Sequence, residues 1–313
     1  MGIGASAGGL EACSELLSVL PENAGMALVV VQHLAPKHHS ILPDLLQASS
    51  HLPVVHASEG IEVAPNHVYV IPPNVQLRIA EGKLWLLPRP EDRSQYMPID
   101  YFFHTLAEYA QAKAIGVILS GTASDGAEGL REIKGVGGIT IAQDPRSAKY
   151  DGMPRAAIAT GFVDLVLRPQ EMAEELINIG RHPLVRHFQP RRKGEELGVL
   201  EDHFDRIFLL LRSATGVDFS HYKLPTIKRR LQRRMVLHKM TGIEDYLRYL
   251  HQKPEEIQSL YQDILIHVTR FFREPDSFKV LAQKCFPELL ENRANDAPIR
   301  IWVPGCSTGE DAY

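Results

Sequence analysis

Cysteine is scarce: three in 313 residues, Cys13, Cys285 and Cys306, far apart in the chain. An odd and scattered set builds neither a disulfide framework nor a zinc site, so all three read as reduced thiols and no metal is expected. Long apolar runs are also missing. Residues 26–31 form one of the longest, far short of a bilayer span, and no basic-then-apolar leader is present. The expectation is a cytoplasmic protein with no membrane insertion. Neither sign of charge dominates, with 34 Lys and Arg against 38 Asp and Glu and a net charge of -4. That balance gives no support to generic nucleic-acid binding.

What is present fits two domains, since 313 residues exceed the usual single-domain size and 44% hydrophobic content is ordinary for a folded protein. A sizeable core is expected only in the first. The most informative stretch is Gly4-Ala5-Ser6-Ala7-Gly8-Gly9. It reads Gly-x-Ser-x-Gly, a pattern whose small neighbours permit a sharp strand-to-helix turn and leave the serine oxygen exposed. The helix expected next, with Leu10, Leu16, Leu17 and Leu20 on an apolar stripe, aims free N–H groups at the same spot, where an oxyanion is stabilised. Two other readings compete: a glycine-rich turn that binds phosphate, and a serine that only caps a helix.

A dinucleotide turn is followed about twenty residues on by an acid at the end of the second strand. That acid is lacking here; the strand at residues 26–32 ends in His33. An imidazole at that position favours catalysis, because a serine hydroxyl is a poor nucleophile until a base accepts its proton. Ser6 and His33 fall at the carboxyl ends of what should be neighbouring strands, where open parallel sheets gather their ligands. A third buried strand, residues 114–119, runs into Ser120-Gly121-Thr122-Ala123-Ser124-Asp125-Gly126 and a short helix at 127–134. Asp125 is the favoured orienting acid for the imidazole. It has two competitors: a capping box with Glu128, and Asp144 after the strand at 139–142. The order serine, histidine, aspartate is not that of the α/β-hydrolases, so an ordinary lipase fold is not expected. Backbone N–H groups of Ala7 or Thr122 are candidate oxyanion donors.

These segments, with Val31-Gln32-His33 and Gly152-Met153-Pro154, resemble the catalytic domain of the chemoreceptor glutamate methylesterases, the CheB family, over about residues 1–180. The resemblance implies hydrolysis of glutamyl methyl esters on chemoreceptor helices, with glutamine deamidation as a related reaction and no cofactor. Ser6 is then nucleophile, His33 base and Asp125 its orienter. Ala7 and Thr122 depart from the family, which often carries a hydroxyl residue at the first position and methionine at the second.

Between these turns, residues 76–80 and 84–87 around Glu81-Gly82-Lys83 suggest a β-hairpin appendage. After a last strand at 162–167, Pro183, Pro190, Arg191, Arg192 and Lys193 mark a linker. Apolar spacing from 200 to about 265 is helical. One helix, starting near Pro225, sets Leu224, Ile227, Leu231, Met235 and His238 on one face. Lys228, Arg229, Arg230, Arg233 and Arg234 cover the remainder, a surface that suits an acidic partner. This helix, Val268-Thr269-Arg270-Phe271-Phe272-Arg273-Glu274 and Gly305-Cys306-Ser307-Thr308-Gly309-Glu310 resemble the chemoreceptor glutamate methyltransferases, the CheR family. That resemblance makes the basic helix a receptor-docking element and places Thr269, Arg273 and Glu310 at an S-adenosylmethionine site. Residues 299–303 read as a buried strand entering a glycine turn, and residues from about 297 onward are expected to be poorly anchored because the chain stops at Tyr313.

The expected fold class is α/β, a mostly parallel doubly wound sheet with a hairpin appendage, then a small all-α module and the first strand of a truncated S-adenosylmethionine-binding domain. The expected boundaries are 1–180 for the esterase-like domain, 181–199 for the linker, 200–272 for the helical domain and 273–313 for the start of the methyl-donor domain. A non-catalytic receptor-binding scaffold and a nucleotide-binding enzyme are the alternatives.

Overall fold

The computed structural model describes residues 1–34, 40–90, 96–186, 197–265, 275–291 and 300–303. The chain divides into two compact units, Met1–Ile266 and His267–Tyr313.

The first unit is organised by strands that are largely apolar: β1 (Gly2–Ala5), β2 (Leu28–Gln32), β3 (Val54–His56), β5 (Val68–Val70), β8 (Ile115–Ile118), β9 (Ile139–Gln143) and β10 (Leu165–Leu167). Continuous rather than alternating apolarity is the pattern of a sheet covered on both faces. These strands form one parallel seven-stranded sheet in the order β10-β9-β8-β1-β2-β5-β3. From β1 the chain steps outward to β2 and later returns to β1's other side as β8, which makes the carboxyl ends of these three strands a topological switch point.

Alternate strand residues feed two cores. Ile3, Leu28, Val30, Val117 and Ile141 pack under α1 (Gly9–Val19), α2 (Leu42–Gln47) and α6 (Pro169–Arg181). Val29, Val31, Ile118 and Ala142 pack under α3 (Pro98–Ala110), α4 (Ala127–Gly135) and α5 (Gly152–Ala159). The expected hairpin is β6 (Val75–Ala80) with β7 (Lys83–Pro88), joined antiparallel to the short β4 (Ile61–Glu62). Its turn residues have φ of 52° at Glu81 and 76° at Gly82, two left-handed conformations in succession that match the twist of the strands.

A helical module completes this unit: α8 (Leu197–Thr215), α9 (Leu224–Leu237), α10 (Ile243–Gln252) and α11 (Pro254–Ile264), around Ile207, Leu211, Ile227, Leu231, Tyr246 and Leu260. Helix extends into the span expected to be linker, since a short α7 (Pro183–Arg186) follows α6 directly and α8 begins at Leu197. In the second unit, α12 (Pro275–Val280) continues through a π turn at Leu281–Cys285 into α13 (Phe286–Glu291). The strand expected at 299–303 is corrected: described residues 300–303 are not extended into any sheet, with Ile301 65% and Trp302 87% exposed. A strand needs ladder partners, and among the described residues none pairs with it.

Helix α3 lies so close under β1 that Gly4 has no room for a side chain; a Cβ there would stand 2.4 Å from Ile99 Cγ2 and 2.9 Å from Ile118 Cδ1. Gly4→Ala is therefore expected to cost about 1–3 kcal/mol by overpacking, read as a lower urea midpoint at unchanged slope.

Candidate active site

Ala5 and Gln32 are the last paired residues of β1 and β2, so Ser6 and His33 leave the sheet side by side. His33 Nδ1 lies 3.1 Å from Ser6 Oγ. On β1's other flank, β8 delivers the 120–126 turn, and Asp125 Oδ2 sits 2.8 Å from His33 Nε2. The three expected site residues thus form one hydrogen-bonded line. Nε2–H donates to the carboxylate, which leaves Nδ1 as the acceptor for the serine proton; the two ring nitrogens have exchanged the duties they hold in chymotrypsin. Asp125 is 2% exposed, while the imidazole side chain keeps 29% of its surface open to solvent.

Backbone ties hold the turns together. Ser6 N–H donates to Ser120 O at 3.0 Å, and Ser120 Oγ donates to Ala7 O at 2.9 Å while accepting from Tyr150 N–H at 3.0 Å. Gln143 Oε1 accepts Ser120 N–H at 2.8 Å. Gly121 passes against the nucleophile, since a Cβ there would lie 2.9 Å from Ser6 Cβ and 2.1 Å from Met153 Sδ. The sequence pattern suggests a strained nucleophile elbow, but the left-handed backbone falls on Gly8 (φ 72°), Ala123 (φ 68°) and Gly126 (φ 94°), not on Ser6. Glycine carries that geometry without a Cβ penalty at two of the three positions.

The competing carboxylates make different contacts. Asp144 is taken by Arg146 at 2.9 Å, whose hydrogen bonds hold its carboxyl below the usual range, and it does not meet His33. No capping box forms with Glu128, because the N-cap of α4 is Gly126 and makes no side-chain bond. Asp125 instead reaches across to α3 and accepts the N–H groups of Ile99 (3.1 Å) and Asp100 (2.9 Å). Sequence reading missed this pair; the sign of it was Pro98, a residue suited to a helix's first turn, where N–H groups lack internal partners. Gln32 was missed as well: its Nε2–H donates to Ser6 O at 3.3 Å. The Ala7 and Thr122 N–H groups donate to no backbone acceptor among the described residues, and α1 begins three residues after Ser6 with its positive dipole end nearby.

The basic helix departs from expectation. Arg230 and Arg233 are 3% and 4% exposed, and they face the esterase-like domain rather than solvent. Arg230 donates to Lys134 O (2.6 Å) and Gly135 O (2.5 Å), the last carbonyls of α4, where a helix C-terminus attracts a cation. Burial and the neighbouring Arg233 and Arg229 push Arg230 down to about 10. Arg233 donates to Gly138 O at 2.8 Å and pairs with Asp164 of the first domain and Asp263 of α11, while Lys134 Nζ approaches Asp164 at 3.0 Å. Burial alone would raise the Asp164 carboxyl; Arg233 and Lys134 outweigh it and hold it low. Arg234 is bound with His238 and Tyr246 to Glu256, which these partners hold at about 2 against the effect of burial. Arg229 is half-buried, and Lys228 alone of the five is exposed. Thr269, Arg273 and Glu310 lie outside the described residues.

Residues 1–176 match the family model described as CheB methylesterase. Residues 202–265 match the all-alpha domain of CheR methyltransferase, and residues 267–313 its SAM binding domain. A protein of Rhodobacter capsulatus, "Uncharacterized 104.1 kDa protein in hypE 3'region", is 37% identical over 290 residues, 87% of this chain and 30% of its own length. A Leptospira interrogans protein named "Putative protein-glutamate methylesterase/protein-glutamine glutaminase" is 38% identical over 183 residues, 58% of this chain and 95% of its own. The crystal structure of the Thermotoga maritima CheB methylesterase catalytic domain superposes with a TM-score of 0.53 at 34% identity, over 57% of this chain and 96% of that one. The chain therefore spans under a third of the first relative's length.

Two predictions separate the roles. A fluorophosphonate should label Ser6, with Asp125→Asn slowing labelling by at least about 100-fold and Asp144→Asn leaving it unchanged. Arg233→Met removes the guanidinium shared by two buried carboxylates and should cost about 3–5 kcal/mol in urea unfolding, against less than about 0.5 kcal/mol for the exposed Lys228→Met.

Proposed function

This chain belongs to the CheB methylesterase family, and from that premise we propose that it hydrolyses glutamyl methyl esters on chemoreceptor helices through Ser6, His33 and Asp125. The observation that carries the proposal is the unbroken hydrogen-bonded line from hydroxyl to imidazole to buried carboxylate at the switch point of the sheet.

In the first half-reaction Ser6 Oγ attacks the ester carbonyl carbon as its proton passes to His33 Nδ1. The imidazolium so formed keeps its Nε2–H on Asp125, whose charge opposes the new positive charge. The negative charge on the tetrahedral oxygen is met by main-chain N–H groups at Ala7 and Thr122 and by the start of α1. The carbon–methoxy bond then breaks, methanol leaves with the proton from Nδ1, and the glutamyl group remains esterified to Ser6. Water repeats the sequence: Nδ1 takes its proton, hydroxide adds, and Ser6 is released with a free glutamate. A glutamine side chain would follow the same course with ammonia as leaving group, in keeping with the double name carried by the Leptospira relative. The hydrolysis calls on no cofactor. Residues 267–313 we assign to the beginning of a methyl-donor domain that takes S-adenosylmethionine in the parent protein.

Incubation with receptor carrying radiolabelled methyl esters should release volatile methanol, and Ser6→Ala should reduce the rate by at least about 1000-fold. Equal release by Ser6→Ala and the unchanged protein would overturn the assignment.

A further inference from the structure

Helices α3 and α4 start beside each other, and neither is capped by its own N-cap residue, Met97 or Gly126. Each instead receives its cap from the other. Asp125, just ahead of α4, accepts the N–H groups of the second and third residues of α3, Ile99 and Asp100. Asp100 in return accepts, through Oδ1, the N–H of Gly129, the third residue of α4, at 2.7 Å. The helices touch backbone to backbone there, as a Cβ on Gly129 would stand 3.2 Å from Asp100 Cα and 2.5 Å from Phe103 Cβ. The catalytic carboxylate is therefore one half of a reciprocal cap.

We propose that Asp100 is a positioning residue of the triad: its carboxyl group anchors the first turn of α4, and its N–H fixes the Asp125 oxygen that His33 does not use. The proposal rests on the esterase reading for its kinetic consequences and on geometry for the rest. A merely capping carboxylate would be ionised at neutrality. Asp100 differs, because burial pushes it up, and the neighbouring Asp125 and Glu128 carboxylates add to this against the pull of the Gly129 and Gly126 N–H groups, to about 7, where it is only partly ionised at neutrality. Glu128 is itself paired with Arg131 at 3.5 Å, and the other group facing Asp100 is Asp125 with His33 behind it. Since the folded-state value lies above the ordinary carboxylate range, folding takes up a proton. The stability this brings is fully present below the ordinary carboxylate value of about 4 and is lost progressively as pH rises from there through about 7.

The test compares Asp100→Asn and Asp100→Ala in the full chain. Asparagine can accept the Gly129 N–H but cannot ionise; alanine does neither. The melting advantage of Asp100→Asn over the parent should grow as pH rises from about 5 to about 8, and its profile of kcat for methanol release should lose an ionisation near 7. Asp100→Ala should lower kcat by about 10- to 100-fold with KM little changed. Identical melting of Asp100→Asn and parent at both pH values, or a parental kcat in a folded Asp100→Ala, would overturn the proposal. If alanine prevents folding, the asparagine melts decide it. Absence of methanol release by the parent would instead sink the esterase reading, and the melting comparison would still judge Asp100.

Discussion

The carboxylate of Asp125 is the point on which this structure turns. It is buried, it takes N–H groups from His33, Ile99 and Asp100, and in doing so it joins the β8 turn, the end of β2 and the beginning of α3. A buried anion is costly unless its lone pairs are occupied, and here three donors occupy them. The same contacts that make the charge tolerable also fix its direction. Oδ2 takes both the imidazole and the Ile99 N–H, and Oδ1 takes the Asp100 N–H, so the carboxylate is held against the helix while the ring has a single orientation in which both of its nitrogens are used. Stability and chemistry share these bonds.

Much of this site could be read from residue types alone, and the reason is steric. Gly4, Gly8, Gly121 and Gly126 each stand where a Cβ would collide with Ile99, Ser120, Met153 or Ile118, so close approach of the turns is written into the sequence as glycine. The strand ends were legible because the sheet is buried on both faces and its strands are plain apolar runs. The main-chain donors to Asp125 were legible only through Pro98, which marks the start of a helix but not its distant partner, some 25 positions away. Helix α9 was misread for a different reason. Periodicity separates an apolar face from a charged one, but it cannot say that charged Arg230 and Arg233 will meet the carbonyls of Lys134, Gly135 and Gly138 and the carboxylate of Asp164. Strand 299–303 failed because a strand is a property of its neighbours.

The contact between α9 and the first domain joins buried charge to the apolar Val236 and Leu237, which pack into the core of the sheet. Arg233 lies between Asp164 and Asp263, one from each side, so a single guanidinium neutralises carboxylates that belong to different folding elements. Buried ion pairs add little net stability over a hydrophobic equivalent, yet losing one partner is expensive. Such a junction selects a specific partner surface more than it strengthens the fold. It also withdraws arginines that a helix wheel would offer to an acidic partner.

The exchange of ring nitrogens in His33 has a geometric origin. Nδ1 is attached next to the stem of the side chain and has a short reach; Nε2 is at the tip and has a long one. Extending the β1–β2 ladder one step past Ala5 and Gln32 brings Ser6 opposite His33, a neighbour close enough for the short arm, while the acid arrives from β8 and needs the long one. Strand alignment thereby sets which ring nitrogen meets which partner. A slip of one residue between β1 and β2 would turn the imidazole to the opposite side of the sheet and bring Gln32 or Leu34 to the serine. In this protein the main-chain rungs of the sheet decide the meeting of hydroxyl and imidazole as much as the two side chains do.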